Sequence, residues 1–141
     1  MTGEKILETL LKLMSPELID GEYVFCAFKN ARYGDHAYLE PLASFREVEG
    51  LTLVVPKVTA DEHGLSYESV FRCITLTVHS SLDAVGLTAA ISTKLAEHGI
   101  SANVVAAYCH DHIFVPAEFS ELAMSALSDL ARRPDNQADW C

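Results

Sequence analysis

The chain has 141 residues, enough for one ordinary domain or for two small ones that share a core. Its formal net charge of −10 argues against attachment to nucleic acid or anionic lipid, since both need clustered Lys and Arg. The four cysteines lie far apart and lack the CxxC spacing that is typical of zinc and redox sites. We therefore expect reduced thiols.

The first segment, Gly3 to Met14, carries its apolar residues on one helical stripe. It predicts an amphipathic helix that ends at Ser15-Pro16, because proline discourages continuation. Charged residues interrupt its apolar residues, whereas the core of a signal peptide is uninterrupted. No apolar run in the chain approaches the ~20 residues of a membrane span. We expect a cytoplasmic protein without a membrane segment.

The first half of the chain predicts mainly strands. Glu22 to Phe28 is rich in aromatic and β-branched residues and predicts a strand, whereas the polar segment Lys29 to Pro41 predicts a loop. Ser44 to Val48 and Leu51 to Val55 predict a hairpin. A short helix is expected from Thr59 to Leu65, with Thr59 as its N-cap.

The spacing of the apolar residues changes within the second half. Ile74 to Val78 alternates apolar residues with threonines, which predicts a strand with one buried face. Helical spacing follows at Leu87, Ile91 and Leu95. Gly99 ends that helix, because glycine adopts the left-handed conformation of a C-cap at low cost.

An internal repeat organises these elements. A hairpin around Cys109 to Asp111 and a final helix reaching Arg133 repeat the hairpin and helix of the first half, about sixty residues later. The predicted order of elements in the second half is β-α-β-β-α. The first half is a degenerate copy, in which the first helix is shortened to a loop. This order predicts an α+β fold of two ferredoxin-like halves, with antiparallel sheets and helices on one face. The predicted division is 1–68 with the leading helix, 69–133, and a flexible tail at 134–141.

Several motifs of the second half resemble the ACT domain, a small βαββαβ ligand-binding module. They are the strand Ile74 to Val78, the helix start Val85-Gly86-Leu87, Leu95 with His98-Gly99-Ile100-Ser101, and the strand that follows. The whole chain resembles small stand-alone proteins with two ACT-like halves.

The resemblance implies that the chain binds a small effector, such as an amino acid, at a seam between domains or subunits. ACT domains usually regulate an attached enzyme. We expect no enzyme domain in this chain, so the resemblance implies an unidentified regulated enzyme as partner. We expect a homodimer, no cofactor and no catalytic activity.

The candidate ligand site is the turn that leads into the second-half helix. The first N–H groups of a helix have no intrahelical partner and favour a ligand carboxylate. The resemblance adds a neighbouring strand to the same pocket. The candidate ligand-binding residues are His79, Ser80, Ser81, Asp83, Val85, Gly86, Leu87, Asn103 and Val104. The structural alternative is that Ser81 is only an N-cap and that Gly86 only permits tight packing.

A second chemical motif is the run Cys109-His110-Asp111-His112. His110 and His112 would share one side of a strand and could bind zinc, but no second Cys/His pair has ligand spacing. Cys109 and His110 could also form a nucleophile–base pair, although neighbours in a strand point to opposite faces. A polar hairpin turn is the favoured interpretation, with a metal-dependent or thiol enzyme, and a purely structural interaction module, as alternatives.

Two further features have structural and functional interpretations. Arg32 and His36 lie in the first half's equivalent of the ligand loop and could contact an anion, or simply face solvent. The aromatic residues are expected in the core, because an acidic chain offers no basic groove for stacked bases. They are Phe25, Phe28, Tyr108 and Phe114.

Overall fold

The structure, a computed structural model, describes residues 3–77 and 86–139. The chain divides into two compact units. The continuous unit is Asp20–Arg72, and the split unit combines Met1–Ile19 with Cys73–Cys141. Within the described ranges, no helix combines the length and apolar character that a membrane span requires.

Helices and strands alternate along the chain as an α+β fold, which confirms the predicted class. The helices are α1 (Gly3–Leu13), α2 (Lys57–Glu62), α3 (Leu87–Glu97) and α4 (Ser120–Asp139), with 3-10 turns at Ala37–Leu39 and Ala117–Phe119. The strands are β1 (Pro16–Leu18), β2 (Tyr23–Lys29), β3 (Ala43–Glu47), β4 (Gly50–Pro56), β5 (Phe71–Leu76), β6 (Asn103–Ala106) and β7 (Asp111–Pro116). The pairs β1–β5, β2–β4, β3–β4 and β6–β7 are antiparallel.

The continuous unit has the strand order β3-β4-β2, and Tyr23 of β2 pairs with Phe71 at the start of β5. Alternate residues of β2 and β4 point to one face and form a core with the 3-10 turn and α2. This core consists of Val24, Cys26, Leu39, Leu51, Leu53, Val55 and Ala60. One helix and a short turn therefore cover the sheet of this unit.

The split unit has the strand order β1-β5-β7-β6. Ile74 and Leu76 of β5 and Ile113 and Val115 of β7 point to one face, against the helices. The core consists of Leu11, Met14, Ile74, Leu76, Leu87, Ile91, Leu95, Ile100, Ile113, Val115, Ala123, Ala126, Leu127 and Leu130. Its first strand in the sheet order comes from the beginning of the chain.

The leading segment packs in the split unit, because Leu11 and Met14 lie in that core and β1 pairs with β5. The sequence division groups the same segment with residues 20–68. The boundaries 1–68, 69–133 and 134–141 stay predictions about domains. Helix α4 runs to Asp139, across the start of the predicted flexible tail, whose mobility also stays a prediction.

Some local predictions differ from the structure. Helix α2 begins at Lys57, so Thr59 lies inside it, because Pro56 has the fixed φ of −58° that suits the residue before a helix. Strand β5 begins at Phe71 and ends at Leu76, and residue 78 lies outside the described ranges. Tyr108 is 79% exposed on the β6–β7 turn and is not a core residue, whereas Phe114 is 1% exposed.

Candidate functional site

The start of α3 is set by Gly86. Its φ of 96° is left-handed, a conformation that costs glycine little, and its carbonyl accepts the first helical hydrogen bond from the Ala90 N–H at 2.9 Å. A Cβ at this position would lie 3.2 Å from Cδ2 of Leu7 on α1. Both the backbone conformation and the close approach of α1 therefore favour glycine here.

Three buried side chains fix helix α3 in the core of the split unit. Leu87, Ile91 and Leu95 are 3%, 0% and 0% exposed and pack in the split-unit core. Because the Leu87 side chain faces the core, a ligand at the helix start would meet the backbone N–H groups instead. Only the main chain of Leu87 can therefore take part in the predicted ligand binding.

Strand β6 presents the other predicted site residues on opposite faces. The Asn103 side chain is exposed, and its Nδ2 donates to the Phe114 carbonyl at 3.3 Å. Val104 is half-buried and packs against the split-unit core. Adjacent strand residues alternate in direction, so Asn103 offers a polar side chain to solvent while Val104 offers only its main chain.

The remaining candidate residues, His79, Ser80, Ser81, Asp83 and Val85, lie outside the described residues. The described part of the candidate site is therefore Gly86 and Leu87 at the start of α3, and Asn103 and Val104 on β6. The ligand site as a whole stays a prediction.

The β6–β7 turn is a hairpin closed by a hydrogen bond from the Ala107 N–H to the His110 carbonyl, at 3.1 Å. Within residues 3–77 and 86–139, no group of three or more His, Cys, Asp or Glu residues is placed to hold a metal ion. His112 Nδ1 lies 2.9 Å from Thr75 Oγ1. Burial, and then the nearby charge of His110, lower the pKa of His112, so the imidazole favours its neutral form.

Two thiols in the interior are poor candidates for nucleophiles. Cys26 and Cys73 are buried and carry free thiols. Burial raises the pKa of both, which favours the unreactive protonated form. Cys109 is exposed on the β6–β7 turn.

In the continuous unit, Arg32 and His36 have different surroundings. Arg32 is exposed, and its main-chain N–H donates to the Asp35 carboxylate at 2.8 Å. The His36 ring stacks on Phe28 with centroids 3.9 Å apart. The sequence pattern indicates both residues, but it carries no sign of the stack.

Known proteins resemble the chain in sequence and in fold. A solved Vibrio cholerae protein of unknown function, described as a possible transport protein, is 57% identical with a TM-score of 0.83, over 92% of this chain and 99% of that one. An Agrobacterium tumefaciens protein is 16% identical with a TM-score of 0.70, over 84% and 89% of the two chains. The regulatory subunit of aspartate kinase from Thermus thermophilus, in its ligand-free form, is 13% identical with a TM-score of 0.61, over 82% and 97%. The last two likenesses show the fold alone. A search of curated proteins finds no match.

Family models agree with the fold. One model of the ACT domain matches residues 2–72, and a second matches residues 68–129. The tandem arrangement expected from the internal repeat is confirmed. The chain belongs to the ACT-domain family.

Proposed function

We propose that this chain is a regulatory protein that binds an amino acid and acts on a separate enzyme, without catalysing a reaction itself. The observation that carries the proposal is the pair of ACT-domain matches, at residues 2–72 and 68–129. Family membership supports regulatory small-molecule binding in general. The amino acid, the cytoplasmic location and the enzyme partner are the finer parts of the proposal.

The chemistry of capture follows from the start of α3. The N–H groups of the first turn lack helical partners and carry a partial positive charge, so they favour the carboxylate of an amino acid. Gly86 has no side chain to block them, and the buried Leu87 fixes their position. The exposed amide of Asn103 supplies a hydrogen-bonding group from β6.

We place the ligand at a seam between two copies of the chain. Strand β6 is the last strand in its sheet order, and Val105 is 38% exposed on it. An edge strand presents unpaired N–H and C=O groups that a second chain can pair with. A homodimer formed along β6 would bring Asn103 and its symmetry mate to that seam.

A thermal-shift screen of the proteinogenic amino acids tests the proposal. A ligand that binds only the folded state at a hundred times its Kd adds about 2.7 kcal/mol of stability, which raises Tm by ~5 °C or more. We expect such a rise for at least one amino acid. The absence of any rise across the panel at millimolar concentrations would contradict the proposal.

A variant pair locates the site. Asn103→Leu removes the side-chain amide and its hydrogen bond to the Phe114 carbonyl, so it should weaken binding and lower Tm without ligand by at most a few degrees. Val48→Ala, at a fully exposed turn of the continuous unit, is the control and should retain affinity. Loss of the dimer in Asn103→Leu, which light scattering would detect, would indicate that β6 acts through dimerisation.

A part in small-molecule transport is the second candidate, favoured by the 57% identical Vibrio cholerae relative described as a possible transport protein. Both candidates need ligand capture and differ in the partner. Affinity capture from separated soluble and membrane fractions distinguishes them: an enzyme in the soluble fraction supports regulation, and a transporter in the membrane fraction supports the second candidate.

A further inference from the structure

A concavity of about 400 Å³ lies between three helices of the split unit, and we call it the helix groove. Leu7 lines it from α1, Leu130 lines it from α4, and one side of α3 lines it from Gly86 to Glu97. Its volume is in the range of small-molecule sites, and the space between packed helices is one of the places where such sites occur.

The groove exists because this side of α3 carries short side chains. The residues that line it over the first two turns are Gly86, Ala89, Ala90 and Thr93. At Gly86 a Cβ would lie 3.2 Å from Cδ2 of Leu7, so α1 comes close to the start of α3. Further along α3, no large side chain on this side fills the space next to α1.

The inner surface of the groove is apolar. Leu130 is 5% exposed and belongs to the split-unit core, and Leu7 and Ala90 are half-buried and pack against that core. An aliphatic chain that lies on these three side chains would be removed from water. Each methylene group buried in this way tightens Kd about fourfold.

One polar group of the groove favours an anionic ligand. Lys94 is half-buried and lines the groove about 12 Å along the helix axis from Gly86. Within the described part of the chain it forms no ion pair, unlike Lys57, whose Nζ lies 2.8 Å from the Asp61 carboxylate. Glu97 also lines the groove, but it is exposed to solvent and does not pair with Lys94. The ammonium group of Lys94 is therefore available to a ligand carboxylate, to which it would make a charge-assisted hydrogen bond.

We propose that the helix groove binds a medium-chain aliphatic carboxylic acid. The alkyl chain lies on Leu7, Ala90 and Leu130, and the carboxylate accepts a hydrogen bond from Lys94 Nζ. This ligand uses the side of α3 and needs neither the N–H groups of its first turn nor an ammonium group of its own. The site therefore takes a different chemistry from amino-acid capture and goes beyond the proposed function.

A series of hexanoate, octanoate and decanoate tests the apolar part of the site by two-dimensional NMR titration. We expect octanoate to bind with a Kd of about 1 mM or lower, and each pair of added methylene groups to tighten Kd about tenfold. Amide shifts should concentrate at Leu7, Ala90, Lys94 and Leu130. Equal affinity across the series, or no binding of decanoate up to about 10 mM, would overturn the proposal.

Octylamine tests the charge, because it has the chain of octanoate and a cationic head group. The net charge of −10 attracts cations to the protein in general, so weaker binding of the amine must come from the groove itself. We expect the amine to bind at least about tenfold more weakly than octanoate. Binding of the amine as tight as that of the acid would overturn the proposal.

Matched variants locate the site. Ala89→Phe places a ring in the groove and should abolish binding of octanoate, whereas Ala96→Phe, at an exposed position of the same helix outside the groove, should not change it. Lys94→Gln should weaken octanoate binding about tenfold and leave octylamine binding no weaker. Lys29→Gln, at an exposed lysine of the continuous unit, is the control for the lost charge.

Unchanged octanoate binding in the folded Ala89→Phe protein would overturn the proposal. So would light scattering that shows a dimer separated by Ala89→Phe but not by Ala96→Phe, since a second copy would then be the occupant of the groove. An amino acid bound at the start of α3 shifts Leu87 and Asn103, and its affinity does not depend on Lys94. Failure of this proposal is therefore distinguishable from failure of the proposed function.

Discussion

The two units have related sheets but differ in the segment that lies between one strand and the next. In the split unit, α3 lies between β5 and β6, and its residues Leu87, Ile91 and Leu95 are at most 3% exposed. In the continuous unit, the loop of residues 30–42 lies between β2 and β3, with Leu39 as the single buried side chain of its 3-10 turn. The sheet alone does not require the helix. The helix adds buried side chains and a first turn whose N–H groups have no helical partners. Where a short loop replaces the helix, a cavity remains beside Leu51 and Leu53.

The largest expected effect is on the helix that fills the split unit. Ile91→Ala removes a fully buried side chain from the middle of α3, and we expect a loss of about 4 kcal/mol in the free energy of unfolding. Urea unfolding measures it, with the exposed Thr93→Ala as control. A loss under about 1 kcal/mol would show that α3 does not carry the packing of this unit.

Leu39, the single buried side chain of the 3-10 turn in the loop of residues 30–42, should contribute less to stability than Ile91. Leu39→Ala should cost about 2–3 kcal/mol, because a loop beside a cavity can partly collapse into the space left behind. Hydrogen exchange should accelerate in residues 33–42 before it does in the split unit. Val48→Ala, at a fully exposed turn, is the control. Uniform acceleration along the chain would argue against a locally anchored loop.

The glycine at the start of α3 should show a smaller, separable effect. Gly86→Ala imposes a left-handed φ on alanine and a contact with Leu7, and should cost about 1–2 kcal/mol. Gly99 also has a positive φ, of 70°, but nothing lies within 4 Å of its Cβ position. The difference between Gly86→Ala and Gly99→Ala in urea unfolding thus isolates the contact with α1. Equal losses in the free energy of unfolding would mean that Leu7 on α1 moves away from the added methyl group at little cost.

The smallest effect concerns pH. Because burial lowers the pKa of His112 below its usual 6.5, the unfolded chain binds this proton more readily than the folded one as pH falls. Stability should therefore decline as pH falls from about 7 to 5. In His112→Gln, which cannot titrate, the decline in urea midpoint should be shallower. An identical slope in both proteins would exclude His112 as its source.

The split unit was the more predictable of the two, for physical reasons. Leu87, Ile91 and Leu95 repeat at helical spacing, and that signal survives in the sequence because the helix buries one stripe. Strand β1 was not predicted, since the three residues Pro16–Leu18 are too few to show alternation. The amphipathic stripe of α1 indicated that a partner surface exists, but a stripe does not say which sheet it covers.

The candidate site was predictable only in part. Gly86 stands out because a glycine before a helical pattern marks a special backbone conformation. Asn103 and Val104 are neighbours in sequence, but strand alternation gives them opposite faces, which a motif match does not resolve. The cavity beside Leu51 and Leu53 leaves no periodic signal, because it arises where packing residues are missing.

A two-dimensional NMR titration with the amino acid that raises Tm the most is the decisive test of ligand capture at α3. We expect amide shifts to concentrate at Gly86, Leu87 and Asn103, in the unit with the complete helix. Shifts concentrated in residues 33–53, or no shift at any amide with saturating amino acid, would contradict it.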